Sequence, residues 1–282
     1  MKSFFKSEWH DESEKVLTLR EKDLLLGNNV YEVIRTYNRI PFAVKKHFER
    51  LKKSSSIMQI PLAFTCKELF SIIREGLQLN NSEENREFRI RIILFSGGTT
   101  DDILINFEPL PPISKDIYEL GVNIGISPII KPSGWIVSPY LKISGQSWNM
   151  RSKKIMNERY DLILLNERGN VCEGTYTNIF LIKENKIVTP DILSGVLSGI
   201  TRENMISLIK SLEFELQIRP VRSYELFESS EIFLTHTSAG IVPVRKMGEK
   251  VLIEDFTDNV TRLLLDNFEG FIMSDETNWA GV

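Results

Sequence analysis

The stretch from Asn166 to Leu181, NERGNVCEGTYTNIFL, constrains this chain more than any other. Ile163-Leu164-Leu165 is an apolar run, Glu167-Arg168-Gly169-Asn170 has the composition of a turn, and Asn178-Ile179-Phe180-Leu181 is a further run of strand length. Past that turn, the carboxylate of Glu173 therefore lies between two strands. A buried carboxylate without a cationic or hydrogen-bonding partner is costly or takes up a proton, so a buried Glu173 requires a partner. A glutamate at a hairpin end in water is the alternative, and this stretch alone leaves both readings open.

Upstream, Val30 to Tyr37 is rich in β-branched and aromatic residues, and Asn38-Arg39 then turns the chain toward Ile40-Pro41-Phe42, the pattern of a hairpin. Alternation puts Tyr31, Val33, Arg35 and Tyr37 on one face. The spacing of Val44, Phe48, Leu51 and Met58 predicts a helix from about Val44 to Met58, with Arg50 beside the apolar stripe. An arginine in that place is ordinarily solvated or snorkelling. Thr65-Cys66-Lys67-Glu68 has the form of a capping box before a helix through Leu69, Ile73 and Leu77. Phe88 to Phe95 reads as a strand with Arg89 and Arg91 on the same side, either an anion trap or the wet face of an edge strand. Between Glu108 and Trp135 the chain carries Pro109, Pro111, Pro112, Pro128 and Pro132 and one strand-like run, Gly121 to Ile126. A domain boundary is expected there: residues 1–115 as a first domain, 116–135 as a connection and 136–282 as a second domain.

Lys142 interrupts the short apolar stretch YLKISG. Desolvation can lower a lysine's pKa and make its amine nucleophilic, although most lysines are surface residues. Gly195 to Glu203 sets a glycine turn and Thr201 at the start of a helix whose apolar face holds Met205, Ile206, Ile209 and Leu212. Backbone N–H groups and a hydroxyl converging at a helix start suit a phosphate; a plain capped helix has the same look. The pattern is neither a Walker loop nor a dinucleotide fingerprint. Glu231 to Leu234 reads as a buried strand running into the hydroxyl-rich Thr235-His236-Thr237-Ser238, a place where ligand contacts and ordinary turns both occur. A last helix is expected over Phe256 to Phe268.

The 35 basic and 38 acidic residues are interspersed, with a net charge of -3, so no basic face points to nucleic acid. No apolar run approaches the roughly 20 residues of a membrane span, and MKSFFKSEWHDESEK lacks the apolar core of a signal peptide, so no membrane and a cytoplasmic location are expected. Cys66, Cys172, His10, His47 and His236 are far from any zinc spacing; no metal is expected, and the thiols are read as reduced packing residues.

Taken in order, VYEVIRTYNRIPF, HFERL, FRIRIILF, the lysine of YLKISG, ERGNVCEGTYTNIFLI, LSGITRE and THTSAGIVPV resemble the class IV pyridoxal phosphate-dependent aminotransferases. This is the branched-chain and D-amino acid group, which also includes the aminodeoxychorismate lyases. The resemblance covers nearly the whole chain, and EG, three residues, NIF followed by GITR carries most of its specificity. It implies an α+β, two-domain fold of the fold type IV kind, with a small N-terminal α/β domain and a larger C-terminal pseudo-barrel domain. It also implies pyridoxal 5′-phosphate as cofactor and a homodimer whose active site lies between the domains and is closed by a partner-chain loop. By the same resemblance, Lys142 forms the Schiff base and shuttles a proton between substrate Cα and cofactor C4′. Glu173 binds the pyridine nitrogen and keeps it protonated, which provides the cationic partner this acid requires. Arg50, Gly199, Ile200, Thr201 and Thr237 hold the phosphate, Leu197 packs against the ring, and Tyr31, Arg91 and Ser238 lie on the substrate side. The implied reaction exchanges an amino group between a branched-chain-like amino acid and a 2-oxo acid; a C–N lyase of the aminodeoxychorismate type, or a binding protein without catalysis, is the alternative. The chain departs from the family at Gln146-Ser147, where many members have an asparagine-tyrosine pair, at Arg89, where branched-chain enzymes usually have tyrosine, and over Phe95 to Asp102.

Overall fold

The computed structural model describes residues 1–18, 21–80, 86–96 and 102–279, without the side chain of residue 277. Most of the departure after Phe95, residues 97–101, thus lies outside the described residues. The fold is mixed α+β with two sheets, and the chain divides into two units: Met1–Pro111 with Tyr140–Gly145 and the residues from Asp275 on, and Pro112–Pro139 with Gln146–Ser274.

The first unit holds a sheet of order β2-β1-β6-β5-β3-β4, built from β1 (Lys2–Phe5), β2 (Glu8–Asp11), β3 (Asn29–Tyr37), β4 (Ile40–Pro41), β5 (Phe88–Phe95) and β6 (Ile103–Pro109). Its helices are the short α1 (Lys22–Leu25), then α2 (Val44–Met58) and α3 (Cys66–Leu79). Alternation in β3, β5 and β6 gives one buried and one half-exposed face. The buried face, with Val30, Ile34, Ile90, Ile92 and Ile105, forms one core with Phe48 and Leu51 of α2 and Leu69 and Ile73 of α3. Asn38 and Arg39 both take positive φ, as a two-residue turn matching strand twist requires. The capping box closes: Thr65 accepts from the Glu68 amide while the Glu68 carboxylate accepts from the Thr65 amide. Tyr140–Gly145 counts with this unit because Ile143 bridges Val30, and Leu141 and Ile143 pack on its core. The division expected along the sequence had set these residues with the later part of the chain, since pairing with a strand so distant leaves no mark in local composition.

The second unit holds the sheet β11-β10-β9-β12-β13-β7-β8, with β14 on β13. Its strands are β7 (Val122–Ile130), β8 (Asp161–Leu165), β9 (Asn178–Lys183), β10 (Lys186–Pro190), β11 (Leu216–Arg219), β12 (Glu231–His236), β13 (Gly240–Met247) and β14 (Lys250–Val251). Val171 bridges Leu165 at the end of β8 and donates to the Val221 carbonyl just beyond β11, and Asn170 bridges Arg222. These contacts draw the two ends of the strand path together, as in a pseudo-barrel. Ile124, Ile163, Ile179, Leu181, Ile232, Leu234, Val242 and Val244 fill one of its cores. Helices α4 (Asp116–Glu119), α5 (Ser147–Lys154), α6 (Ile200–Ser211), α7 (Glu225–Glu228) and α8 (Val260–Ser274) complete this unit, and α9 (Glu276–Trp279) returns to the first. The last long helix begins later than expected. Glu231, on β12, accepts from the amides of Val260 and Thr261 and fixes the start, which an apolar pattern cannot locate.

Candidate active site

In the first unit, the main chain of Lys142 is gripped from both sides. Its amide donates to Ser54 Oγ at 3.1 Å, and its carbonyl accepts from the Tyr31 amide at 3.0 Å. The Ser54 hydroxyl also donates to the Tyr140 carbonyl at 2.8 Å, so α2 and β3 together fix this segment. Lys142 Nζ then lies 4.6 Å from the centroid of the Tyr31 ring. Ser54 is fully buried, and a serine within a helix gives no signal of such a duty in sequence.

Alternation places Glu32 on the core face of β3, fully buried. Arg50 Nε and Nη2 donate to its two oxygens at 2.6 and 2.7 Å, and His47 Nδ1 contacts Oε2 at 2.7 Å. Arg50 therefore does not snorkel; Glu32 sets the direction of its guanidinium. Burial alone would raise the Glu32 carboxyl, but Arg50 and His47 outweigh it and hold the group well below the usual carboxylate range. Burial, joined by the charges of Arg50 and Lys142, lowers His47 against the pull of Glu32, which favours a neutral ring with its proton on Nδ1, facing an oxygen that can only accept.

Arg89 and Arg91 share a side, as alternation requires, but β5 is an interior strand and not an edge. Glu108 on β6 answers both: Arg89 Nε and Nη2 donate to Oε2 at 2.9 and 2.5 Å, and Arg91 Nε lies 3.6 Å from Oε1.

In the second unit, Glu173 is held against β8 through its carbonyl, which accepts from the Leu164 amide at 2.8 Å. Its carboxylate is buried. Lys131 Nζ contacts Oε1, while Asn178 Nδ2 and the Leu197 amide donate to Oε2 at 2.9 and 2.8 Å. Lys131 is a cationic partner that sequence reasoning missed, because a lysine in a proline-rich stretch looks like any surface lysine. Asn178 Nδ2 also reaches the Leu197 carbonyl at 3.1 Å, so the glycine turn before α6 and the acid share one hydrogen-bonded frame. A Cβ on Gly199 would stand 2.0 Å from Asn178 Oδ1, which is why glycine is required there. Gly199 offers α6 no side-chain cap, leaving the helix start, with buried Ile200 and Thr201, to present its amides to an acceptor. Thr237 and Ser238 occupy the turn between β12 and β13. The buried hydroxyl of Thr235, directly across from Asn178 in register, has no partner among the described residues.

The loop after Glu173 is fastened by Asp161. Its Oδ1 accepts from the Thr175 amide and hydroxyl, both at 2.8 Å, and from the Leu162 amide at 2.7 Å; Oδ2 accepts from the Thr177 hydroxyl at 2.8 Å. Burial raises this carboxyl against the pull of those donors. A Cβ on Gly174 would stand 2.1 Å from Asp161 Oδ2. At the head of an apolar strand, Asp161 gave no sequence signal of its burial. Both cysteines are free, and Cys172 is buried, with its thiol donating to the Ser194 carbonyl at 2.9 Å.

Residues 29–247 match the family described as amino-transferase class IV. A Thermotoga maritima protein named "Probable branched-chain-amino-acid aminotransferase" is 41% identical over 272 residues, 96% of this chain and 96% of that one. A crystal structure of a Thermotoga maritima protein carrying the same assignment has a TM-score of 0.91 at 38% identity, covering 100% of this chain and 99% of that chain. An aminotransferase from Brucella abortus bound to PLP shares the fold, with a TM-score of 0.84 at 18% identity over 97% and 99% of the two chains. The chain belongs to the class IV aminotransferases.

Proposed function

We propose that this aminotransferase exchanges the amino group between a branched-chain amino acid and a 2-oxo acid, with pyridoxal 5′-phosphate as cofactor and Lys142 as the residue that carries it. The observation that carries the reading is the single frame joining the Glu173 carboxylate, Asn178, Leu197 and the uncapped start of α6. A phosphorylated pyridine fits that donor set: an acid for a ring N–H, a helix start for a phosphate, and an unpartnered buried hydroxyl at Thr235. When bound, the cofactor accepts the amino group and disperses negative charge arising at substrate Cα.

The chain's own residues do the rest. Glu173, held by Lys131, Asn178 and Leu197, keeps a proton on the ring nitrogen. Ile200 and Thr201 at the helix start hold the phosphate, with Gly199, Thr237 and Arg50 as its further ligands, and Leu197 lies against the ring. Lys142 would hold the cofactor, and its Nζ would take up and return the proton of substrate Cα. Its main chain is pinned at both the amide and the carbonyl, so the amine swings on a fixed base. Tyr31 and Arg91 flank the substrate from the sheet face, and Ser238 takes a carboxylate. The active form is a homodimer; Trp135 and Ile136, 67% and 66% exposed, are apolar groups offered to a second copy, and sedimentation tests this.

The reading is tested by incubating the protein with a panel of amino acids of both hands while its absorption spectrum is followed. Amino-group transfer from L-leucine, L-valine or L-isoleucine to a 2-oxo acid is expected. Release of pyruvate from aminodeoxychorismate without any 2-oxo acid acceptor would overturn it. Lys142→Ala is expected to lose the borohydride-reducible cofactor adduct while keeping its fold; an adduct persisting at another lysine refutes the assignment of Lys142.

A further inference from the structure

A group of ring-bearing side chains in the second unit has no part in the ligand set proposed above, yet it ties together the loop that carries Glu173 and the turn that carries Thr237. The ladder between β9 and β12 ends at the pair Asn178 and Thr235. The loop before Asn178 and the turn after His236 therefore leave the sheet at the same end, side by side. Period-two geometry sends Thr235 and His236 to opposite faces, so Thr235 stands across from Asn178 while His236 turns to the head of β8. There the Tyr160 hydroxyl meets His236 Nε2 at 2.8 Å. The Tyr160 carbonyl accepts from the Tyr176 hydroxyl at 2.5 Å, and Tyr176 belongs to the loop between Glu173 and Asn178. The rings of Tyr160, Tyr176 and His236 close a triangle with centroids 5.6 to 6.1 Å apart, the Tyr176 and His236 rings meeting edge-on at 82°. Asp161, next to Tyr160, fastens the same loop through Thr175 and Thr177. The far end of the turn is held as well, because the Ala239 carbonyl accepts from the Tyr118 hydroxyl at 2.9 Å.

We infer that Tyr160 and His236 are positioning residues for the phosphate of the cofactor, acting through the turn of Thr237; this rests on the proposed roles of Glu173 and Thr237. The pyridine ring is rigid, so its nitrogen and its phosphate-bearing arm demand a set separation between the acid and the phosphate ligands. Strand pairing sets that separation as far as Asn178 and Thr235, and beyond them the contacts of Tyr160, Tyr176 and His236 carry it on. With Tyr118 holding the far end, the bond from Tyr160 to His236 decides how the turn is angled. Removing the Tyr160 hydroxyl releases His236 and misplaces Thr237. The ring end of the site is unaltered, because Lys131, Asn178 and the Leu197 amide still hold Glu173. The loss therefore falls on the phosphate alone.

The test titrates the full chain, freed of cofactor, with pyridoxal 5′-phosphate and with pyridoxal, which share the aldehyde and the ring nitrogen and differ in the phosphate. The ratio of the two Kd values, pyridoxal over its phosphate, reports the phosphate contacts. Tyr160→Phe keeps the ring and is expected to shrink this ratio by about fivefold. His236→Leu should match it, whereas His236→Gln, which presents a polar atom at the place of Nε2, should stay within about twofold of wild type. A merely structural role would weaken both ligands together and leave the ratio unmoved. An unchanged ratio in Tyr160→Phe and His236→Leu overturns the inference and leaves the functional reading standing, and so does a His236→Gln variant as impaired as His236→Leu. A wild type that binds both ligands alike refutes the phosphate role of Thr237, and the inference falls with it.

Discussion

Lys131 and Glu173 are each 9% exposed at the side chain, and removing either strands the other's charge in the interior. Lys131→Met is therefore expected to cost about 3–5 kcal/mol, read as a lower denaturation midpoint, with Lys131→Arg close to wild type. Glu173→Gln keeps the shape but loses the carboxylate proposed above to face the ring nitrogen, and kcat/KM should fall by roughly 10²- to 10³-fold. A transamination assay beside a thermal melt separates the two effects. At this scale the sequence showed that a buried Glu173 requires a partner, and the structure supplies Lys131, Asn178 and the Leu197 amide. Lys131, Ser54, Glu32 and Asp161 were not legible there, because each owes its duty to a partner the sequence does not name. Lys131 meets an acid 42 positions away, and Ser54 meets a main chain 88 positions away.

Between elements, the Glu32, His47 and Arg50 cluster ties β3 to α2 and makes that contact sensitive to acid. His47 has a folded pKa below its ordinary 6.5, so the unfolded chain takes up the proton first as pH falls. Its contribution is fully present above 6.5 and is lost as pH drops toward the folded value. Glu32, depressed below its ordinary 4.5, adds a second loss of the same sign at lower pH. Melting temperatures measured from about pH 8 to about pH 5 should therefore decline, and His47→Gln should flatten that slope while lowering stability at the alkaline end. Within α3, Thr65→Ala opens the capping box and is expected to cost about 1 kcal/mol in a denaturant titration. Local periodicity reached β3, β5, α2 and the α3 cap with little error, since burial on one face writes itself into alternate or every third to fourth residue. The start of α8 escaped it because the capping acid, Glu231, comes from β12.

For the molecule as a whole, a cofactor that binds the folded chain stabilises it by mass action, by about 2.7 kcal/mol at a hundredfold excess over Kd. Dialysing the cofactor away should lower the melting temperature, and readdition should restore it; in Lys142→Ala the restored increment should be smaller. Hydropathy patterning alone determined that the first half of the chain alternates strands and helices, and the ordered motifs determined its family. Which residues stand together was decided only by the tertiary structure: Tyr140–Gly145 joined to the first unit, Lys131 set on Glu173, and Glu108 placed between two arginines. The reason is one of range. Alternation, helical spacing and caps act over a few neighbouring residues and are written there, whereas the partner of a buried charge is whatever the completed fold carries to within hydrogen-bonding distance of it.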